Sequence, residues 1–233
     1  MFSGGYMIMM LIGGAFMVLG MLAGARLKSK FKHYSQLPTT SGLSGKEIAE
    51  KMLADYGITD VEVISARGQL TDHYNPGNKT VNLSEVVYNE RNIAAAAVAA
   101  HEVGHAVQHA TAYAWLGFRS KMVPVVNIAS RAQQFVLMFA LGVTALGSFG
   151  VIPLVLAIAL VGVTTLFAVV TLPVEFDASR RALAWLENSG VTATRETAGA
   201  KDALKWAAMT YVVAAMGSLA QLLFLVARFA SRR

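Results

Sequence analysis

Three stretches of the chain contain no Asp, Glu, Lys or Arg: residues 1–25, 132–174 and 206–227. A membrane-crossing helix needs about 20 apolar residues, so the outer stretches supply one crossing each and the middle one is long enough for two. Gly147-Ser148-Phe149-Gly150, followed by Pro153, interrupts the middle stretch and predicts a tight helical hairpin. The pattern thus predicts four spans, near residues 4–25, 126–147, 151–172 and 207–228. The second is the most polar, because Asn127, Ser130, Arg131, Gln133 and Gln134 crowd its start, and Arg131 is expected to snorkel to the interface. Ala23-Gly24-Ala25 has the small-residue look of a signal-peptide cleavage site. Against that alternative, Arg26, Lys28, Lys30 and Lys32 follow the apolar run instead of preceding it.

The polar remainder predicts a small α+β domain. Residues 44–56 read as a helix: Ser44 caps it, Glu47 completes a capping box, Ile48, Met52 and Leu53 form an apolar stripe, and Gly57 ends it. Val61, Val63 and Ile64 predict one strand and residues 80–83 another, joined through the turn Asn75-Pro76-Gly77-Asn78. Residues 81–84 are read either as an exposed edge that could hold an extended peptide or as part of a structural hairpin. The expected organisation is a first span at 1–25, a soluble domain at 26–122, a membrane hairpin at 123–172, a loop and helix at 173–206, and a last span with its tail at 207–233. No internal repeat or low-complexity linker interrupts this order.

Composition agrees with a membrane protein: 55% of residues are hydrophobic and 15% charged, with a mean hydropathy of +0.49. The net charge of +6 comes largely from residues beside the spans. Arg119 and Lys121, Arg180 and Arg181, and Lys201 and Lys205 join the four basic residues after the first span in flanking both polar segments. The positive-inside rule therefore puts those segments in the cytoplasm and both termini outside, with Arg228, Arg232 and Arg233 running against the rule. This charge suits anionic lipid and not nucleic acid, since no basic patch interleaves with aromatics. With no cysteine, disulfides and thiolate ligands are excluded, which leaves His, Asp and Glu as metal ligands.

Candidate chemistry lies at His101-Glu102-Val103-Gly104-His105, inside an alanine-rich helix that Asn89 or Asn92 can cap and that meets no proline before Pro124. Residues four apart share a helix face, so His101 and His105 can offer nitrogens to one Zn²⁺. Glu102 beside them suits a general base that takes a proton from the attacking water and returns it to a leaving amine. The alternative is a buried, mutually satisfied polar cluster. A hydrolytic zinc needs a third protein ligand. His109 lies about 12 Å beyond His101 on a straight helix, too far to share its metal. His33 and His73 sit upstream in expected loops. Glu175, after Pro173, opens an expected helical segment that can pack on the zinc helix, and it is either the ligand or an interfacial charge. Asp177 lies on another face of that segment, where it could orient a histidine or pair with Arg180 or Arg181.

Three blocks resemble the YugP-type membrane zinc metallopeptidases, distant relatives of the HtpX and CAAX prenyl protease gluzincins. They are Leu70-Thr71-Asp72-His73-Tyr74-Asn75-Pro76 with Thr80-Val81-Asn82-Leu83-Ser84-Glu85, residues 101–108, and Pro173-Val174-Glu175-Phe176-Asp177-Ala178-Ser179. The resemblance covers most of the chain and implies His101, His105 and Glu175 as zinc ligands and Glu102 as catalytic base. Ser179 departs from the wider pattern, in which the HtpX group carries an aspartate four residues after the ligand. The expected protein is mainly α, polytopic, with about four transmembrane helices and a small zincin-like cytoplasmic domain. Its expected activity is endopeptidase cleavage of membrane or membrane-associated proteins at the cytoplasmic face of the cell membrane. His73, Tyr74 and His109 are candidate electrophiles or substrate contacts. A peptide substrate and the bilayer are the expected partners, with a homo-oligomer or a further membrane partner left open. Two other readings compete. One is a non-catalytic scaffold with a structural zinc, which would have no use for Glu102. The other is a site-2-type intramembrane protease, which Gln108 and three histidines within residues 93–118 oppose.

Overall fold

A computed structural model describes residues 4–144 and 151–231. In chain order its elements are helix α1 (Gly4–Tyr34), α2 (Gly45–Asp55), strands β1 (Glu62–Ala66), β2 (His73–Asn75) and β3 (Thr80–Ser84), then α3 (Glu85–Asn89), α4 (Ile93–Ala110), α5 (Ala114–Thr144), α6 (Val151–Asn188) and α7 (Thr194–Ala230). The chain divides into two compact units. A helical unit comprises Met1–Ala23, Phe118–Leu172 and Thr210–Arg233, and a mixed unit comprises Gly24–Gly117 and Pro173–Met209. Four helices, α1, α5, α6 and α7, contribute to both.

Among the described residues three helices are long and apolar enough to cross a membrane: Met7–Tyr34, Ile152–Asn188 and Thr194–Ala230. The second expected span lies in α5, a 31-residue helix that is not among these three. Its polar start, including Arg131 and Gln133, dilutes the apolar run, and the expected hairpin tip at residues 147–150 lies outside the described residues. The helical unit packs Leu154, Ala157, Val161 and Leu225 into a small core. Gly217 accommodates the Phe16 ring. Thr164 Oγ1 donates to Gln133 Oε1 at 3.1 Å.

The mixed unit follows the local signals more closely. Ser44 caps α2 by accepting from the Glu47 amide, and the Glu47 carboxylate accepts in return from the Ser44 amide. Such a cap contributes about 1 kcal/mol. Gly57 ends the helix with a positive φ of 67°. The sheet runs in the order β1-β3-β2, with β1 parallel to β3 and β2 antiparallel to it. This corrects one expectation and decides another: the Asn75 to Asn78 turn joins β2 to β3, not β1 to β3, and residues 81–84 belong to a structural hairpin whose β3 strand is central, paired with both β1 and β2, and not to an open edge. Every residue of β3 is buried. Asp72 fixes the β2 start to the β3 end by accepting from the Ser84 amide at 2.7 Å and from its hydroxyl.

Residues of α2, β3, α4 and α6 meet in the core, among them Ile48, Met52, Leu83, Val103, Val107 and Leu186. Helix α4 begins at Asn92, whose side chain accepts from the Ala95 amide at 2.9 Å. Its run of alanines is almost wholly buried, so neighbouring elements can approach its backbone closely. At Gly104 a Cβ would stand 2.6 Å from the Ala178 carbonyl oxygen. Only glycine lets α4 and α6 touch there, and that contact brings Glu175 to the histidines. Pro173 lies inside α6, which runs on without ending, so Glu175 belongs to a continuous helix instead of opening a new one.

Candidate metal centre

His101 and His105 lie one turn apart on α4, with ring centroids 4.9 Å apart and planes at 82°. Glu175 reaches them from α6: its Oε2 lies 3.3 Å from His101 Nε2 and 3.7 Å from His105 Nε2. The three potential ligand atoms all fall within 4.8 Å of one another. Ligands bound tetrahedrally to zinc at about 2.0–2.1 Å lie about 3.4 Å apart, so the donor set fits that ion with small adjustments. Two imidazoles and a carboxylate also match its preference for nitrogen and oxygen donors. The Glu175 side chain is 4% exposed and that of His101 12%, so His101 lies on the more open side.

Both histidines are held from behind. His101 Nδ1 is 3.1 Å from Ser179 Oγ. His105 Nδ1 is 3.0 Å from Gln108 Oε1, and Gln108 Nε2 donates to the Val174 carbonyl at 2.8 Å and to Asp177 Oδ2 at 2.9 Å. Asp177 in turn accepts from Arg181 Nε at 2.6 Å and pairs with Arg180. It therefore lies behind the histidines, one residue removed from His105. In the sequence Gln108 counts only as a polar residue that opposes membrane insertion, with no role at the site. It sits three residues after His105 and is wholly buried, and a buried amide must find partners. That spacing was the available signal.

Burial pulls the His105 imidazolium towards neutrality. The contacts with Glu175, the nearby Glu102 charge and Gln108 more than offset this, and the pKa ends above the ordinary 6.5. Glu102 is buried, and one of its oxygens accepts from the Tyr74 backbone amide at 3.0 Å. In β2 the Tyr74 amide thus faces α4. The Tyr74 hydroxyl lies 2.7 Å from His109 Nδ1, joining half-buried Tyr74 of β2 to exposed His109 in the last turn of α4. His73 engages the Thr71 carbonyl at 2.8 Å, and His33 stacks edge-on to Tyr34 at 4.9 Å. None of His33, His73 and His109 joins the three-donor group.

Two imidazoles and a carboxylate converging from two helices, with a buried glutamate next to the first imidazole, make the donor arrangement of a zinc hydrolase. A profile of the family described as "Putative neutral zinc metallopeptidase" matches residues 7–230, and the chain belongs to that family. Over 215 residues, 92% of this chain and 93% of the relative, it is 44% identical to "Putative membrane protease YugP" of Bacillus subtilis (strain 168). No solved structure matches the chain.

Proposed function

We propose that this protein is a membrane-embedded zinc endopeptidase in which His101, His105 and Glu175 hold the metal and Glu102 is the general base. The convergence of three donors next to a buried glutamate carries the reading. Bound there, Zn²⁺ would polarise the scissile carbonyl and acidify the attacking water. Glu102 takes the proton and passes it to the departing nitrogen. The Tyr74 amide holds one of its oxygens, and the transfer needs only the other. The Tyr74 hydroxyl and His109 are the candidate partners for the developing oxyanion. A substrate strand lies along β2, the edge whose Tyr74 amide faces the zinc helix.

Substrates are membrane proteins or segments presented at the bilayer, because Glu175 follows the charge-free stretch 132–174 directly. We place the mixed unit, a zincin-like assembly of small sheet and metal helix, in the cytoplasm, on the strength of the basic residues that flank its segments. Helix α5 is the fourth crossing. Zinc content and cleavage of a membrane-protein substrate in detergent, compared between the native protein and Glu102→Gln, test the reading. Zinc retained with cleavage lowered about 10²–10⁴-fold is expected. Undiminished cleavage by Glu102→Gln, or a native protein without zinc, would overturn it.

A further inference from the structure

The two histidines of the metal centre are held by different chemistry. The Ser179 hydroxyl behind His101 can donate or accept, so it accommodates either imidazole tautomer. Gln108 behind His105 has no such freedom. Its NH₂ group meets the Val174 carbonyl and the Asp177 carboxylate, both of which only accept. Turning the amide over would set its oxygen against those two acceptors, so chemistry fixes the orientation. Gln108 Oε1 therefore faces His105 Nδ1, and a carbonyl oxygen can only accept. A proton must sit on Nδ1, so in the neutral ring the bare nitrogen is Nε2, on the side of Glu175. Asp177 is kept a pure acceptor by Arg180 and Arg181, so the constraint extends from these arginines to the metal ligand.

We propose that Gln108 and Asp177 are positioning residues that lock neutral His105 into its Nδ1-protonated tautomer, so that Nε2 is the nitrogen it offers to zinc. His105 is then the preset ligand of the pair, and His101 adjusts to it. The inference rests on the zinc reading above and reaches a property of the metal-free protein which that reading does not require.

The test uses the full chain in detergent, labelled with ¹⁵N-histidine, together with Zn²⁺ competition against a chromophoric chelator. In the metal-free native protein at alkaline pH, the His105 signals should show protonated Nδ1 and bare Nε2. Gln108→Leu should mix the tautomers and weaken zinc binding roughly 10–100-fold. Gln108→Glu should also weaken it, because two carboxylates then face each other at Asp177. If Gln108→Leu fails to fold, the native spectrum still decides. Protonated Nε2 on neutral His105 of the native protein, or a single unchanged tautomer in folded Gln108→Leu, would overturn the proposal. A native protein with the expected tautomer and no zinc affinity would overturn the metal reading, and with it the proposed purpose of the lock.

Discussion

In the mixed unit Met52, Leu83 and Leu186 are wholly buried, whereas in the helical unit Leu11, Met17 and Leu223 are 68%, 63% and 59% exposed. The same kinds of side chain serve opposite ends. In water, burying them drives folding at about 25 cal/mol per Å² of apolar surface. A lipid chain is as apolar as leucine, so outward-facing residues of a membrane helix gain nothing by moving inward, and packing falls to close contacts between helices. Burial therefore marks the core in one unit and is a poor guide in the other: only 6% of the most apolar window of α1 is buried.

Truncations sharpen that contrast most strongly. Met52→Ala should destabilise the protein by about 2–5 kcal/mol through the cavity it leaves, while Leu11→Ala should leave detergent-phase stability within about 0.5 kcal/mol of native. Thermal or denaturant unfolding in detergent reads both, and equal losses would break the comparison.

Glycines give a smaller and more local test. A Cβ at Gly104 strikes the Ala178 backbone, which cannot step aside, whereas one at Gly217 meets the Phe16 ring at 3.0–3.2 Å, and a ring can shift. Gly104→Ala should cost about 1–3 kcal/mol by overpacking. It should also weaken zinc binding, because it parts α4 from α6 where Glu175 meets the histidines. Gly217→Ala should cost less and leave zinc affinity unchanged. Chelator competition distinguishes the two, and an equal loss of zinc affinity would detach the helix contact from the metal site.

The smallest expected effects are in pH dependence. The His105 pKa is raised, so in the proposed site its proton competes with zinc more strongly than that of an ordinary histidine. Zinc affinity should fall with acidification through that pKa, by up to about tenfold per pH unit for one proton. Metal-free stability should move the other way. A raised folded-state pKa adds stability that is fully present below the unfolded value and is lost as pH rises through the folded one. Zinc affinity independent of pH between 5 and 8 would exclude His105 as a ligand.

Local signals carried a large part of this structure. The Ser44 and Glu47 box and the Gly57 stop depend on residues within a few positions of one another and formed as expected, and of the two candidate caps of α4, Asn89 and Asn92, it is Asn92 that serves. His101 and His105 needed only the helical repeat. Strand β2 escaped notice because His73, Tyr74 and Asn75 show no apolar alternation, and its pairing with β3 makes it a strand. Helix α6 continues through Pro173, where the proline alone suggested a break.

The sequence by itself determined the apolar stretches, the caps and the pair of histidines with its glutamate, because all of these are set by neighbours along the chain. Tertiary structure alone decided that α4 and α6 touch at Gly104, that β3 lies between its two partners, and that Gln108 meets Val174 and Asp177. The contacts between α4 and α6 join residues 66 and 69 positions apart at Gln108. They exist because a buried amide, a buried carboxylate and two helix backbones can be satisfied together in that one arrangement, and no periodicity along the chain encodes it.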